Sequence, residues 1–182
     1  IITGEATSMD TAATITVMAA AAAVPTRSDG GRGPRMNTTA RTEDGMPTAW
    51  RSIGVIRTPY TKPEGTPIQS VSAEGAAGTV ELLPEFVDGL RDLDGFERIW
   101  LIYPLHRIET PRLVVTPFLD TTPHGIFATR SPSRPNPIGL SAVRLVAVRD
   151  AILEIADVDI LDGTPLIDIK PYVPRFDAHP AS

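Results

Sequence analysis

The chain has 182 residues with 42% hydrophobic, 21% charged and no cysteine, at a net charge of −5. That is room for one domain and a tail, with enough apolar residues to bury a core. Disulfide scaffolds, thiolate metal sites and cysteine nucleophiles are excluded, and three histidines are too few for a histidine-rich metal centre. The first 49 residues are rich in Ala, Thr, Gly and Ser, with almost no large apolar residue after Val24, so residues 1–49 are expected to be a disordered extension. The apolar stretch from Val17 to Val24 is shorter than the roughly 20 residues of a membrane span. It also follows Glu5 and Asp10 where a secretory signal carries positive charge. A cytoplasmic protein without a membrane segment is expected, and Met36 and Met46 are candidates for an internal translation start.

From Trp50 the pattern changes to short β-branched runs separated by proline and glycine. Ser52–Arg57 is the first predicted strand, followed by a proline-rich loop from Thr58 to Gln69 and a second strand over Gly78–Leu83. Pro84 at a first helical position, with Phe86, Val87 and Leu90 at helical spacing, predicts one short helix ending near Gly95. Further strands are predicted over Arg98–Leu105, Arg112–Phe118 and Gly125–Thr129. Leu140–Arg149 and Ala151–Leu161 then form a hairpin turning at Asp150. About seven strands and no long crossover helix predict an all-β domain, a small β-barrel rather than a doubly wound sheet. No G-x-G-x-x-G follows any strand, so the Rossmann cofactor site is not expected. The folded domain is placed at residues 50–176 and a short tail at 177–182. The strand Arg98–Leu105 is apolar on both faces, which calls for cover from both sides, and a partner subunit could supply it.

Two segments concentrate residues able to carry chemistry. The run from Gly125 to Ser141 holds Pro132, Pro135 and Pro137, which fix the backbone around Arg130, Arg134 and Asn136. A loop rigid in that way presents its polar groups without an ordering cost on binding; a merely connecting loop with solvated arginines is the plain alternative. The second segment runs from Asp159 to Tyr172 and contains the turn signal Asp162-Gly163-Thr164-Pro165. Asp168, between Ile167 and Ile169, would need a partner such as Lys170 if it were buried. His106 follows an apolar strand at the point where the chain leaves the core.

These residues resemble the TsaA-like (TrmO) family of tRNA adenosine N6-methyltransferases. The resemblance runs from Ile53-Gly54-Val55-Ile56-Arg57-Thr58-Pro59-Tyr60 to Asp168-Ile169-Lys170-Pro171-Tyr172 and includes the Arg134-Pro135-Asn136-Pro137-Ile138-Gly139 run. It implies a small non-Rossmann β-barrel that binds S-adenosyl-L-methionine, a homodimer, no metal, and tRNA carrying threonylcarbamoyl-adenosine beside the anticodon as substrate. Carried onto this chain, the family's cofactor contacts fall on Pro67, Ile68 and Gln69, on His106 and Arg107, on Arg130 and Leu140, and on Ile160, Leu161, Asp162, Gly163 and Thr164. Ile68 stands where the family typically has Arg, and Arg107 where it usually has Gln.

Methyl transfer from a sulfonium is an in-line displacement that asks for positioning more than for a covalent nucleophile or a metal. Arg130 is the expected partner of the cofactor's carboxylate and the Asp162 turn that of its ribose and adenine. His106, Asp168 and Tyr172 are candidate bases, and Arg134, Asn136 and Lys170 are candidate contacts to the RNA. Between Trp50 and Ser182, however, 13 Lys and Arg face 17 Asp and Glu, so long-range steering toward RNA is modest. A methyltransferase of the same fold acting on a small molecule or another RNA is therefore the alternative. A module that binds S-adenosylmethionine or RNA without turnover is the third reading.

Overall fold

The computed structural model describes residues 50–117 and 120–179. The expected extension over residues 1–49 and the end of the chain from residue 180 lie outside the described residues. Nine strands are described: β1 (Gly54–Arg57), β2 (Gly78–Leu82), β3 (Arg98–Pro104), β4 (Val114–Val115), β5 (His124–Gly125), β6 (Ile138–Arg149), β7 (Ile152–Ala156), β8 (Thr164–Leu166) and β9 (Asp168–Pro171). Seven of them form one antiparallel sheet in the order β8-β1-β2-β7-β6-β3-β9, and β4 pairs with β5 separately.

The sheet is curled nearly shut into a barrel, because its two edge strands are consecutive in sequence. Thr164–Leu166 pairs with β1 at one edge, and Asp168–Pro171 pairs with β3 at the other. Between them, Ile167 donates its N–H to the Ile102 carbonyl at 2.8 Å, while Ile53 donates to the Leu166 carbonyl at 2.8 Å. One eight-residue segment thus spans the seam and removes most of the exposed edge. An irregularity in β6 between Leu145 and Ala147 leaves Val146 without a partner, which supplies local bend.

Alternation decides what lies inside. In β3, Ile99, Leu101 and Tyr103 point inward, and Trp100, Ile102 and Pro104 lie on the half-buried outer face. The inward set joins Ile56, Val80, Val143, Leu153, Ile155 and Leu166 in one core. Outside, Trp100 packs against Tyr172 with the rings tilted and their centroids 5.3 Å apart, so part of the cover expected for β3 comes from its own chain. At one wall Asp157 accepts the Gly75 N–H at 2.9 Å and pairs with Arg98 at 2.9 Å, tying the loop before β2 to the barrel. These contacts hold the Asp157 carboxyl below the usual carboxylate range, the Gly75 N–H contributing most.

The all-β barrel agrees with the sequence expectation; several element boundaries do not. The predicted helix is two 3-10 segments, Pro84–Leu90 and Leu93–Gly95, separated by Asp92 in the left-handed region at φ 64°. Gly89 and the short apolar stripe leave too little to propagate an α-helix. The strand expected over Arg112–Phe118 shrinks to Val114–Val115, with Phe118 outside the described residues. Of Gly125–Thr129 only Gly125 is strand, and Ile126–Ala128 is a 3-10 turn. The second hairpin arm ends at Ala156, not Leu161, because Asp157 turns the chain at φ 63°. Two strands, β8 and β9, lie where the sequence suggested only a turn, and an α-helical turn at Pro174–Asp177 straddles the expected domain end at residue 176.

Candidate functional site

Strand register puts the ends of β1, β3 and β7 and the starts of β2, β6 and β8 at one rim of the barrel. At that rim a cleft of about 670 Å³ opens, within the size range of small-molecule sites. Five separate segments wall it: the loop after β1 with Pro67, Ile68 and Gln69; the end of β3 with Tyr103, His106 and Arg107; Thr116 and Pro117 just after β4; the loop before β6 with Thr129 and Arg130; and the stretch before β8 with Asp159, Ile160, Leu161 and Thr164. These segments are up to about a hundred positions apart in the sequence, and only barrel closure brings them together.

Local bonds explain how each wall is held. The end of β3 is fixed to the proline-rich loop by the Leu105 N–H, which donates to the Pro137 carbonyl at 2.7 Å, and the chain then turns through Ile108 back to Leu105. Arg107 donates to the Thr61 carbonyl at 3.0 Å, joining the first and second walls. Arg130 Nη1 donates to Gln69 Oε1, joining the first and fourth. Gly163, with φ at +76°, lets the turn before β8 fold tightly and bond its N–H to the Ile56 carbonyl at 2.9 Å. Asp162 accepts the Thr58 N–H at 3.1 Å and donates its own N–H to Tyr60 at 2.7 Å. It therefore braces the loop after β1, and neither Asp162 nor Gly163 lines the cleft.

The buried polar end of the cleft was not singled out from sequence. Tyr103, directly opposite Gly139, and Ser141, two residues further along β6, are diagonal cross-strand neighbours on one face, and their hydroxyl oxygens lie 2.8 Å apart. Beside them stands Asp159, whose Oδ1 is buried without a hydrogen-bond partner among the described residues. Burial pushes the Asp159 carboxyl above its ordinary value, against the Ser141 hydroxyl, the Ser70 backbone N–H and the Arg130 charge, which all pull it down. Burial likewise pushes the Tyr103 phenol up to about 12, so it stays a neutral donor. Gly139 is required here: a Cβ on it would stand 2.2 Å from Tyr103 Cε2. The signal for Asp159 was available in the alternation Val158-Asp159-Ile160, a carboxylate between two buried apolar side chains.

Of the residues expected at the site, Pro67, Ile68, Gln69, His106, Arg107, Arg130, Ile160, Leu161 and Thr164 border the cleft. Leu140 points outward from β6 opposite Ile102 and is 56% exposed. Arg134 donates to the carbonyls of Ile126 at 3.1 Å and Thr129 at 2.8 Å, so its guanidinium braces its own loop. Asn136 is exposed at that loop's far side. Asp168 and Lys170 form an ion pair at 2.9 Å on β9. Tyr172 donates its N–H to the Arg98 carbonyl at 3.0 Å, at the rim opposite the cleft. Within one chain, then, His106 is the only candidate base beside the cleft; Asp168 lines a smaller outer groove with Trp50, Ile102 and Ile138.

Apolar walls with two arginines, Arg107 and Arg130, and one buried, underbonded carboxylate suit a flat heterocycle bearing charged groups of both signs, which fits an adenosyl amino acid. Comparison with known proteins agrees. Residues 55–178 match the family model described as the tRNA-methyltransferase O N-terminal domain. The chain is 55% identical over 128 residues to a Pyrococcus abyssi protein named "Probable S-adenosyl-L-methionine-binding protein", covering 70% of each. It is 36% identical over 146 residues to the tRNA (adenine(37)-N6)-methyltransferase of Escherichia coli, covering 72% of this chain and 60% of that enzyme. A crystal structure of TrmO superposes with a TM-score of 0.65 at 39% identity, over 75% of this chain and 62% of that one. The match thus spans less than two thirds of the Escherichia coli enzyme and of the solved TrmO chain.

Proposed function

The chain belongs to the tRNA-methyltransferase O N-terminal domain family, a family of S-adenosylmethionine-dependent methyltransferases, and on that premise we propose that it methylates N6 of adenosine in tRNA. The acceptor we propose is the threonylcarbamoyl-modified adenosine next to the anticodon. The observation that carries the reading is the rim cleft, in which nine of the expected contact positions meet around Arg130 and Asp159.

When bound, the cofactor supplies an electrophilic methyl on a sulfonium. The chain's own groups have to hold and orient. Arg130, fixed by Gln69, offers a guanidinium to the carboxylate, and the apolar walls at Ile160 and Leu161 exclude water from the heterocycle. His106 at the cleft mouth is the candidate to take the proton that leaves N6, a modest task because the attached carbamoyl group already acidifies it. Asn136, exposed on the proline-rich loop, and Lys170 on the outer face are the proposed contacts to RNA, with Arg134 keeping that loop in shape. Leu140, Asp168 and Tyr172 lie on or near the outer face of β3 and β6, away from the cleft of their own chain, and a homodimer in which they serve the partner's cofactor is part of the proposal, as is a cytoplasmic location.

The test is transfer of labelled methyl from S-adenosylmethionine to tRNA from cells with and without the threonylcarbamoyl modification, followed by nucleoside analysis. Label confined to the modified adenosine is expected. The acidic balance of residues 50–182 favours one alternative, a small-molecule acceptor. Cofactor binding with no label on either RNA would replace the tRNA reading with that one.

A further inference from the structure

Phe127 is the most exposed aromatic side chain among the described residues, at 77%, and it belongs neither to the barrel core nor to the lining of the cleft. It projects from the 3-10 turn Ile126–Ala128, whose first residue is buried, so Ile126 anchors the turn while the ring stands in water. A phenylalanine left in water forgoes the burial by which it would otherwise stabilise the fold. The ring is nonetheless held in place. The Arg134 guanidinium lies over it, 5.8 Å from the centroid, and Arg134 Nη1 is bonded to the carbonyls of Ile126 at 3.1 Å and Thr129 at 2.8 Å, on either side of Phe127. A cation fixed by two backbone acceptors thus sets the ring from one side and leaves most of it open. The surroundings are positive as well. Residues 111–141 hold three arginines, Arg112, Arg130 and Arg134, against the single acid Asp120, whereas residues 50–182 as a whole have 13 basic and 17 acidic residues. Exposed Arg112 is tied to the same loop through its N–H, donated to the Ser133 carbonyl at 2.9 Å. Thr129 and Arg130, two and three positions after Phe127, line the cleft. A fixed aromatic ring among guanidinium groups beside a cleft has the chemistry of a platform for single-stranded nucleic acid, bases on the ring and phosphates on the arginines.

We infer that Phe127 is a stacking platform for an unpaired base of the RNA substrate, one neighbouring the nucleotide whose adenine enters the cleft, with Arg112 facing the phosphate backbone beside it. This rests on the proposed tRNA substrate and names how the chain grips the strand around the acceptor. Every base has a π-face, so the platform contributes affinity and position and little sequence preference. An exposed ring can also be covered by a second copy of the chain, but the arginines around this one favour a polyanion.

The experiment titrates end-labelled tRNA, from cells that make the threonylcarbamoyl modification, with wild type, Phe127→Ala, Phe127→Leu and Phe127→Trp at several salt concentrations. S-adenosylmethionine affinity and sedimentation velocity are measured on the same preparations. Phe127→Ala and Phe127→Leu are expected to weaken tRNA binding by about 5- to 100-fold, the loss of one base stack. The salt dependence should keep its slope, because no phosphate contact is lost. Phe127→Trp, which keeps a π-face, is expected to stay within about threefold of wild type, and cofactor affinity within about twofold in every variant. Undiminished tRNA affinity in Phe127→Ala overturns the inference, and so does full retention by Phe127→Leu, which would make the contact merely apolar. If Phe127→Ala does not fold, Phe127→Leu is read by the same criteria. Loss of tRNA binding together with conversion to a lighter species also overturns it, since Phe127 would then be a contact between subunits. Wild-type protein that binds S-adenosylmethionine but no tRNA removes the proposed substrate and this inference together, a result that wild type alone tells apart from failure of the variants.

Discussion

At the scale of the residue, Asp159 shows how a site can be recognised by what it costs the fold. Its raised pKa means that the folded chain binds a proton more tightly than the unfolded chain does. The associated stability is fully present below the unfolded carboxyl pKa and is lost as the pH rises through the higher folded value. Asp159→Asn removes that penalty, so the free protein is expected to melt at a higher temperature than wild type at pH 7. The gain should vanish at a pH low enough to protonate Asp159. Thermal unfolding at both pH values checks this, and a lower melting temperature at pH 7 would show the ionised carboxylate to be stabilising. Asp157, two positions earlier, has the opposite sign: its N–H and guanidinium partners lower its pKa, and its stability is lost on acidification. Both aspartates were legible as residues. Which of them is satisfied was not, because the Asp157 partners Gly75 and Arg98 come from distant segments while the Asp159 Oδ1 finds none among the described residues.

At the scale of the element, the proline-rich run from Gly125 to Ser141 combines two jobs. Its first half is a braced loop that presents Arg130. Its second half enters β6 and seats Tyr103 over Gly139. Gly139→Ala would push a methyl group into the tyrosine ring, with backbone on both sides fixed by the β3–β6 ladder. A loss of about 1 to 3 kcal/mol is expected, the range for overpacking a tight interior, together with weaker cofactor binding as the Tyr103 hydroxyl shifts. Urea unfolding and a binding titration on the same preparation check both effects; unaltered stability would mean that the ring can move aside. Sequence patterning located this run as the densest constraint but read its glycine only as part of a motif. The strands β3 and β6 were legible as long apolar, β-branched runs, whereas β8 and β9 were not. Pro165, Asp168 and Pro171 mask them, and three or four residues give too few repeats for a period to emerge.

At the scale of the whole molecule, closure of the barrel makes the site. The segment from Thr164 to Pro171 joins both sheet edges, and the cleft lies where its first residues meet the loop after β1. Ile167→Pro would delete the N–H donated to Ile102 at the middle of that seam. The expected result is a single cooperative unfolding transition at lower urea, with a loss of about 1 to 3 kcal/mol for the buried carbonyl left without its donor. Fluorescence and circular dichroism should move together; separate transitions would show the seam to be dispensable for the rest of the barrel. The amino-acid sequence by itself determined the all-β class and the family, because short β-branched runs between prolines and glycines and a proline-fixed motif are local properties of the chain. Only the tertiary structure decided which candidate residues share a cleft. His106 and Arg130 do, while Asp168, Lys170 and Tyr172 stand on β9 or just beyond it. That division depends on strand register and on the seam, and a register step of one residue moves a side chain to the other face of the sheet.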